Sequence, residues 1–508
     1  MTEHTLSNTE DKVSWLVWVV SLVAVLPLFL AHYPLGVDIP QHAGQIALFR
    51  EMQNPAFIYS SLFKIHLMTP YLLGYIIIYV LSMLMSIALA IKLVLAGSMM
   101  ALPIATGRLL KALGSCEAYA LLAIPVIYGF SFNWGFLNFL VAMPVGLAFL
   151  ASMVRRTQSY TWCDDLKMAL LINALFFCHA LVWAFFFGIT VLYVLCRERR
   201  PYHLFKLIWP LLTSLPVVIG WFYHTMSNSH SAMASMPNYA MGLWRLNPLP
   251  LVFGSGNMMF NLGLALGILV LPRLMGARHS KEPARYMPLL ASIIVVEFFP
   301  HAIFGIAFIY ERFAPVLIPF YLLTLEAPQA NDPVQYRGIA WLGVAGIILL
   351  FVSNEAVMMN GFNSESAGFE RIMQQMDNGK RVLMLMFMRG SDYSPAPVYL
   401  HFPLWYQAEK QGLVEFNAAS EYTPWVQFKS NMLAPADVQG FEWNPQLFDW
   451  NRTQANLYDY FVIRAPIAPG QYIFKSHLCQ VQMIANVGNW WLYGKRSVFG
   501  SGACKFRQ

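Results

Sequence analysis

Long apolar runs dominate the first 353 positions of the chain, and most approach the length that a helix needs to cross a bilayer. The first run, 13–31, follows a polar start that lacks the positive charge and the cleavage pattern of a signal peptide, so we interpret it as a retained helix. Together the runs predict eleven membrane-spanning helices. After the first, they lie near 87–106, 118–133, 136–153, 167–178, 180–195, 204–222, 256–274, 287–304, 313–326 and 338–353.

The apolar stretch 69–110 is open to two interpretations: two full spans, or an interfacial or re-entrant helix over 71–85 followed by one span. The second places fifteen Lys and Arg residues on cytoplasmic loops and four on the opposite loops, and this asymmetry favours it. The four are Arg50, Lys64, Arg245 and Arg312. The N-terminus is then cytoplasmic and the C-terminus lies outside. The hairpin around His179 fits less well, because each half is short for an independent span.

A polar loop, 32–68, follows the first helix on the outer side. Part of it has an apolar face at helical spacing, which is suited to a helix lying on the membrane surface. The face is formed by Ile39, Ala43, Ile46, Ala47 and Phe49.

From Ser353 onward no apolar run reaches the length of a span, and charged residues, Asn, Gln and Pro return. Strands are predicted at 380–387, 458–464, 481–484 and 490–493, the last two as a hairpin. Helices are predicted at 369–376 and 404–411. The predicted fold class is thus a polytopic α-helical membrane bundle, 1–353, with an extracytoplasmic α/β domain, 354–508.

The composition agrees with a membrane protein, since 57% of the 508 residues are hydrophobic and only 12% are charged. A soluble globular protein carries about 25% charged residues, so that class is excluded. The net charge of +7 reflects the Lys and Arg residues of the predicted cytoplasmic loops, so it indicates membrane topology. We therefore expect no nucleic-acid partner. Two of the six cysteines, Cys479 and Cys504, belong to the outer domain, where a disulfide and two separate thiols are equally compatible with the sequence.

Ionisable and polar residues cluster at the predicted outer mouth of the bundle, where ionisable side chains near membrane depth indicate function. The candidates are Asp38, His42, Asn133, Asn138, His179, Glu297, His301, Glu311 and Arg312. Each has a structural alternative: Asp38 is placed to cap a helix beginning at Pro40, and His179 to satisfy carbonyl groups at a helix break. Because the sequence lacks a phosphate-binding GxxxxGK[ST] loop, an ATP-driven transporter would need a partner ATPase.

Several phrases resemble the GT-C glycosyltransferases, polytopic enzymes that use polyprenyl-phosphate-linked sugars. They are VDIPQH, WGFLNFLVAMP, CHALVW, ERFAPVLIPF and YLHFPLWYQAEKQGLVEF. The resemblance also covers the architecture: a first helix, an outer loop with an acid and a surface helix, a bundle of about eleven helices, and an outer α/β tail.

The resemblance implies a bacterial inner-membrane enzyme that moves a sugar to an extracytoplasmic glycan, lipid or protein. Asp38 would be the general base or a metal-linked acid, which leaves a divalent metal, Mg²⁺ or Mn²⁺, open as a cofactor, and His42 a second polar group beside it. Arg312 would hold the lipid phosphate. Many members have two acids in the first loop, whereas Asp38 stands alone here. The alternative is a non-catalytic subunit or transporter in polysaccharide or lipid export.

Overall fold

The computed structural model describes residues 3–228, 236–303, 305–328, 337–421, 423–429 and 441–496, most of them helical. The chain divides into two compact units. The helical unit comprises Met1–Leu30, Pro70–Gly74 and Lys92–Val357. The sheet unit comprises Ala31–Thr69, Tyr75–Ile91 and Met358–Gln508.

The α-helices are numbered here in chain order. They are α1 (Glu3–Val25), α2 (Ile39–Glu51), α3 (Leu72–Ser82), α4 (Ile87–Ala112), α5 (Phe130–Trp134), α6 (Leu137–Gln158), α7 (Trp162–Cys178), α8 (Ala180–Arg197), α9 (Pro201–Leu212), α10 (Leu215–Asn228), α11 (Leu249–Phe253), α12 (Met258–Leu274), α13 (Met287–Phe298), α14 (Ile309–Phe313), α15 (Leu317–Leu323), α16 (Arg337–Met373), α17 (Leu404–Lys410) and α18 (Gly470–Phe474).

Within the described ranges, four helices are long and apolar enough to cross a membrane. They are α4, α6, α8 and most of α16, and a fifth is added if α9 and α10, bent by 44° at their junction, form one span. The chain is therefore a membrane-embedded protein. The short helix α3 lies within the stretch 71–85, where an interfacial or re-entrant helix is one of the two interpretations, and α7 and α8 meet at a break at His179, as the predicted hairpin requires.

Other predicted spans are interrupted in the structure. The segment predicted over 118–133 forms a 3₁₀ helix, Glu117–Val126, followed by the short helix α5. The segment predicted over 313–326 contains a 3₁₀ turn, α15 and then a strand. Proline explains both differences, because it lacks a backbone N–H and clashes with the preceding helical turn. Pro125 lies inside the 3₁₀ helix, and Pro315 and Pro319 lie in the second segment.

The sheet unit is built on a five-stranded sheet with the order β10-β11-β9-β6-β7. The strands are β1 (Phe63–Ile65), β2 (Arg278–His279), β3 (Ala302–Ile303), β4 (Ile306–Ala307), β5 (Leu325–Glu326), β6 (Arg381–Met386), β7 (Leu413–Val414), β8 (Val426–Phe428), β9 (Tyr460–Arg464), β10 (Val481–Val487) and β11 (Trp490–Lys495). Strand β6 runs parallel to β7 and β9, and β10 and β11 form the predicted antiparallel hairpin. The four predicted strands are confirmed.

The first outer loop is part of the sheet unit. Strand β1 of this loop pairs antiparallel with β8 from the C-terminal region, and α2 packs on α17. The side chain of Gln41 donates to the carbonyl of Phe416 at 2.7 Å and accepts from the amide of Ala418 at 2.6 Å. The apolar face of α2, predicted to lie on the membrane surface, is instead buried in protein, because Ile39, Ala43 and Ile46 are fully covered.

This arrangement differs from the predicted domains 1–353 and 354–508. The boundary at residue 353 falls inside α16, which continues as one helix to Met373. A composition change marks where apolar character ends, and a helix can continue past that point because its hydrogen bonds do not depend on hydropathy.

Candidate functional site

In the sheet unit, Asp38 occupies the position just before α2, as the sequence predicts from Pro40. Its backbone dihedrals, φ −92° and ψ −3°, are helical rather than the extended values typical of a capping residue. Its side chain accordingly makes no capping hydrogen bond within the described chain. The carboxylate instead lies 3.3 Å from Nδ1 of His401. Asp38 is thus paired with an imidazole and does not cap α2.

His401 lies three residues before α17, in a buried position, and both of its ring nitrogens have acceptors. Nδ1 also lies 3.2 Å from the carbonyl oxygen of Val37, and Nε2 bonds to the carboxylate of Glu442. Burial alone would lower the pKa of this imidazole, but the charge of Glu442 and hydrogen bonds to Asp38 and Glu442 outweigh burial and raise the pKa to about 10. At neutral pH His401 is therefore an imidazolium between two carboxylates.

A third carboxylate, Glu421, interacts electrostatically with this group. Part of its side chain is exposed, yet the surrounding protein removes much of the bulk water. That burial, reinforced by the negative charges of Asp38 and Glu442, raises the pKa of Glu421 to about 7, while His401 opposes the change. We call Asp38, His401, Glu421 and Glu442 the acidic cluster. In the part of the chain that the structure describes, no three His, Cys, Asp or Glu residues are arranged to hold a metal ion.

His42 follows Asp38 by one turn of α2, and its Nδ1 lies 3.0 Å from the hydroxyl of Tyr75. The ring of Tyr75 in turn stacks on Trp425 at 5.3 Å between centroids, and Phe49 stacks on the same tryptophan at 4.0 Å. The structure thus places His42 at the edge of an aromatic stack, whereas His401 is the imidazole that contacts Asp38.

In the helical unit, Arg312 lies in α14 and is almost completely buried. Its Nε donates to the carbonyl of Phe308 at 2.9 Å, and Nη2 donates to that of Ala307 at 2.6 Å. The guanidinium lies over the ring of Phe136 at 4.0 Å from the centroid. These contacts fix a positive charge in one orientation. Phe308 itself adopts a left-handed backbone, φ 59°, which is a strained conformation for a bulky residue.

Two other predicted residues belong to the same unit: Asn138 lies in α6, and His179 lies between α7 and α8. His179 and Arg312 interact electrostatically, and the rings of His179 and Phe139 meet edge to face at 5.5 Å. The amide of Asn138 is buried, and neither its nitrogen nor its oxygen has a hydrogen-bond partner among the described residues. Nδ1 of His179 is likewise buried without one. Unsatisfied polar groups of this kind are costly in an apolar interior and often belong to ligand sites.

The remaining predicted residues have local partners. Glu311, next to Arg312, bonds through one carboxylate oxygen to Nδ1 of His301, which joins those two candidates. The amide of Asn133 donates to the carbonyls of Tyr128, at 2.8 Å, and of Gly254, at 3.2 Å, so it links the residues around α5 to Gly254. Glu297 contributes its main-chain carbonyl as an acceptor for Arg245.

His401, Glu421 and Glu442 are not among the residues that the sequence singles out. All three lie in the C-terminal region, which is predicted to lie outside the membrane. A polar side chain there pays no penalty for contact with lipid, so it does not stand out as a functional candidate. The phrase YLHFPLW contains His401, but its pairing with an aspartate more than 360 residues earlier depends on β1–β8 pairing and on the packing of α2. For Cys479 and Cys504 the sequence left a disulfide and two separate thiols open: Cys479 is disulfide-bonded, and Cys504 lies outside the described residues.

The fold is similar to that of two solved GT-C glycosyltransferases. ArnT from Cupriavidus metallidurans bound to undecaprenyl phosphate gives a TM-score of 0.56 at 13% identity, covering 98% of this chain and 99% of that chain. The apo form of ArnT gives 0.56 at 15% identity, covering 97% and 98%. The arabinofuranosyltransferase AftD from Mycobacteria gives 0.52 at 12% identity, covering 94% of this chain and 40% of that one. The sequence matches no protein-family model and no curated protein.

These likenesses span almost the whole chain, and they show that it has the GT-C fold. The resemblance predicted from the sequence phrases is confirmed at the level of fold. At such low identity the likeness does not extend to the residues of a site.

Proposed function

We propose that this protein is a membrane glycosyltransferase that moves a sugar from a polyprenyl-phosphate-linked donor to a glycan, lipid or protein acceptor. The proposal includes a bacterial inner-membrane location, a cytoplasmic N-terminus and an extracytoplasmic sheet unit. The GT-C fold supports the kind of reaction, and undecaprenyl phosphate bound to the similar ArnT supports the donor class. The distribution of Lys and Arg supports the orientation.

The acidic cluster carries the catalytic part of the proposal. Attack by an acceptor hydroxyl on an anomeric carbon requires a base to accept the hydroxyl proton. The side chain of Asp38 keeps 27% of its surface exposed while that of His401 keeps 10%, so the carboxylate is both held and reachable. We assign Asp38 as this base. A divalent metal, Mg²⁺ or Mn²⁺, stays an expectation of the family resemblance and carries no step of this proposal.

The departing lipid phosphate requires neutralisation of its negative charge. Arg312 supplies a fixed guanidinium, a group whose planar array of donors suits phosphate oxygens. The unsatisfied amide of Asn138 and the unsatisfied Nδ1 of His179 add polar atoms in the same unit. We propose that these three side chains bind the donor phosphate.

One observation favours the second candidate, a non-catalytic subunit or transporter for polysaccharide or lipid export. Asp38 is paired with a charged imidazole, and such an ion pair also serves to fasten the first loop to the C-terminal region. A fastening role needs no proton transfer. The two candidate functions therefore predict different transfer activities for a variant in which Asp38 loses its charge but keeps its shape.

The deciding experiment uses the full-length protein in lipid nanodiscs with a panel of undecaprenyl-phosphate-linked sugars and a bacterial envelope extract as acceptor. Release of undecaprenyl phosphate is measured for wild type, Asp38→Asn and the exposed control Asp392→Asn. Removing a general base costs about 10²- to 10⁴-fold in rate, so we expect that loss in Asp38→Asn alone. Equal rates in all three would overturn the assignment of Asp38. Absence of release in wild type, with every donor, would favour the export role.

A further inference from the structure

A chain of three charged side chains crosses the acidic cluster and joins distant parts of the sequence. Asp38, at the start of α2, contacts Nδ1 of His401, and Glu442 contacts Nε2 of the same ring. The carbonyl of Val37 gives Nδ1 a second acceptor at 3.2 Å. Since both nitrogens face acceptors, the doubly protonated ring satisfies every contact, whereas a neutral ring would leave one acceptor facing a lone pair.

We propose that His401, held by Glu442, is the positioning residue that aims the Asp38 carboxylate at the acceptor hydroxyl and keeps a positive charge beside it. This inference rests on the proposed function and assigns a role in it to two residues of the C-terminal region. His401 acts through Asp38 and does not itself touch the acceptor.

The geometry explains why Asp38 needs such a partner. Its backbone dihedrals are helical, and within the described chain its carboxylate makes no capping hydrogen bond to the amide groups at the start of α2. His401 provides the replacement contact, and its own ring is fixed on the opposite side by Glu442. A base held in one orientation gains rate because little reorganisation remains before the transition state, and a displacement of about 1 Å costs on the order of 100-fold.

The proton and electron balance of the step is simple. The acceptor O–H bond breaks, its proton passes to Asp38, and the oxygen electron pair forms the new bond to the anomeric carbon. The bond between that carbon and the phosphate oxygen breaks, and its electron pair leaves with the lipid phosphate. His401 retains both protons throughout, so the imidazolium continues to balance Glu442 after Asp38 becomes neutral.

The charge of His401 depends on the groups that face it, which are Asp38, Glu421, Glu442 and the carbonyl of Val37. Burial opposes the charge, and attraction to Glu442 is the first of the causes that raise the pKa of His401 to about 10. Replacing Glu442 by Gln removes that attraction and leaves the burial in place. The imidazolium should then lose its proton well below pH 10, within the range of an activity assay.

The dependence of the His401 charge on Glu442 distinguishes a positioning role from a purely structural one. Release of undecaprenyl phosphate from the panel of undecaprenyl-phosphate-linked sugars is measured between pH 6 and 9 for the full-length protein. The variants are His401→Gln, Glu442→Gln, Glu442→Asp and the control His477→Gln, a histidine of the same unit that stacks on Trp450.

We expect wild type and His477→Gln to keep their kcat up to pH 9. Glu442→Gln should lose about tenfold or more in kcat between pH 7 and 9, with KM for the donor unchanged. Glu442→Asp, which keeps the charge, should restore the wild-type profile, and His401→Gln should be slow at every pH.

Wild-type rates and pH profiles in both His401→Gln and Glu442→Gln would overturn the inference while leaving the proposed function intact, provided that Asp38→Asn is inactive. An equal loss at every pH in both Glu442 variants would also overturn it, because that pattern indicates structural damage. If wild type itself releases no undecaprenyl phosphate, the proposed function fails first. Should His401→Gln not accumulate as folded protein, the profiles of the two Glu442 variants decide the question.

Discussion

The contact between α6 and α8 allows a prediction of opposite effects from the same substitution at two glycines. A Cβ atom added to Gly146 of α6 would lie 2.2 Å from Cδ2 and Cε2 of Phe186, a ring of α8 that is completely buried. A Cβ added to Gly188 of α8 would meet no atom within 4 Å among the described residues. Only the first glycine is therefore required for helix packing.

The magnitudes follow from two opposing effects. Gly→Ala in a helix interior stabilises by about 0.5–1 kcal/mol through helix propensity. Overpacking a filled interior costs about 1–3 kcal/mol. We expect Gly146→Ala to be destabilised by about 1 kcal/mol and Gly188→Ala to be stabilised by somewhat less than that, so the two variants should differ by about 2 kcal/mol.

The full-length protein is solubilised in detergent and heated, and the fraction that stays monodisperse is measured at each temperature. The quantity compared between variants is the temperature at which half of that fraction is lost. Gly146→Ala should fall below wild type and Gly188→Ala should rise above it. A double variant, Gly146→Ala with Phe186→Leu, should recover part of the loss, since coupling between contacting residues amounts to about 0.5–3 kcal/mol. Equal midpoints for the two single variants, or the reverse order, would refute the close approach of α6 and α8.

Two further predictions concern charged residues of the site. Glu421 binds its proton more tightly when folded, so its stabilising contribution is complete below about pH 4.5 and disappears as the pH rises through 7. The unfolding midpoint of Glu421→Gln should therefore change less between pH 5 and 8 than that of wild type, and identical slopes would contradict the raised pKa. Arg312→Lys keeps the charge but replaces the planar array of guanidinium donors by a compact ammonium group, so we expect undecaprenyl phosphate to bind about tenfold more weakly. Unchanged binding in both Arg312→Lys and Arg312→Gln would remove Arg312 from the phosphate site.

Local patterns predicted local structure well. The proline in VDIPQH indicated where α2 begins, and alternating or continuous apolar residues indicated the strands of the five-stranded sheet, including its terminal hairpin. The residues 71–85 contain α3, at a place where the apolar stretch predicted a helix. These features depend on neighbours within a few positions, which is the range over which periodicity and charge are informative.

Features that depend on distant contacts were not predictable in the same way. The apolar face of α2 has the same pattern whether it meets lipid or protein, so the sequence could not show that it packs on α17. His401 and Glu442 carry no periodic signal, and only the folded chain brings them to Asp38. Segments interrupted by proline, such as Glu117–Val126, are still apolar, so their average hydropathy predicted a membrane span. Such an average does not register the backbone N–H that proline lacks.

The pairing of β1 with β8 has a consequence for the order of biosynthesis. Asp38 is synthesised well before His401, Glu442 and the partner strand of β1, which follow every predicted span. The proposed base therefore lacks its positioning residue until the C-terminal region has been synthesised and folded. A chain that stops early, or that fails to deliver its last 150 or so residues to the side of the first loop, would have an incomplete acidic cluster. Under the proposed function, synthesis of the C-terminal region would therefore precede any breakdown of the lipid-linked donor by this protein.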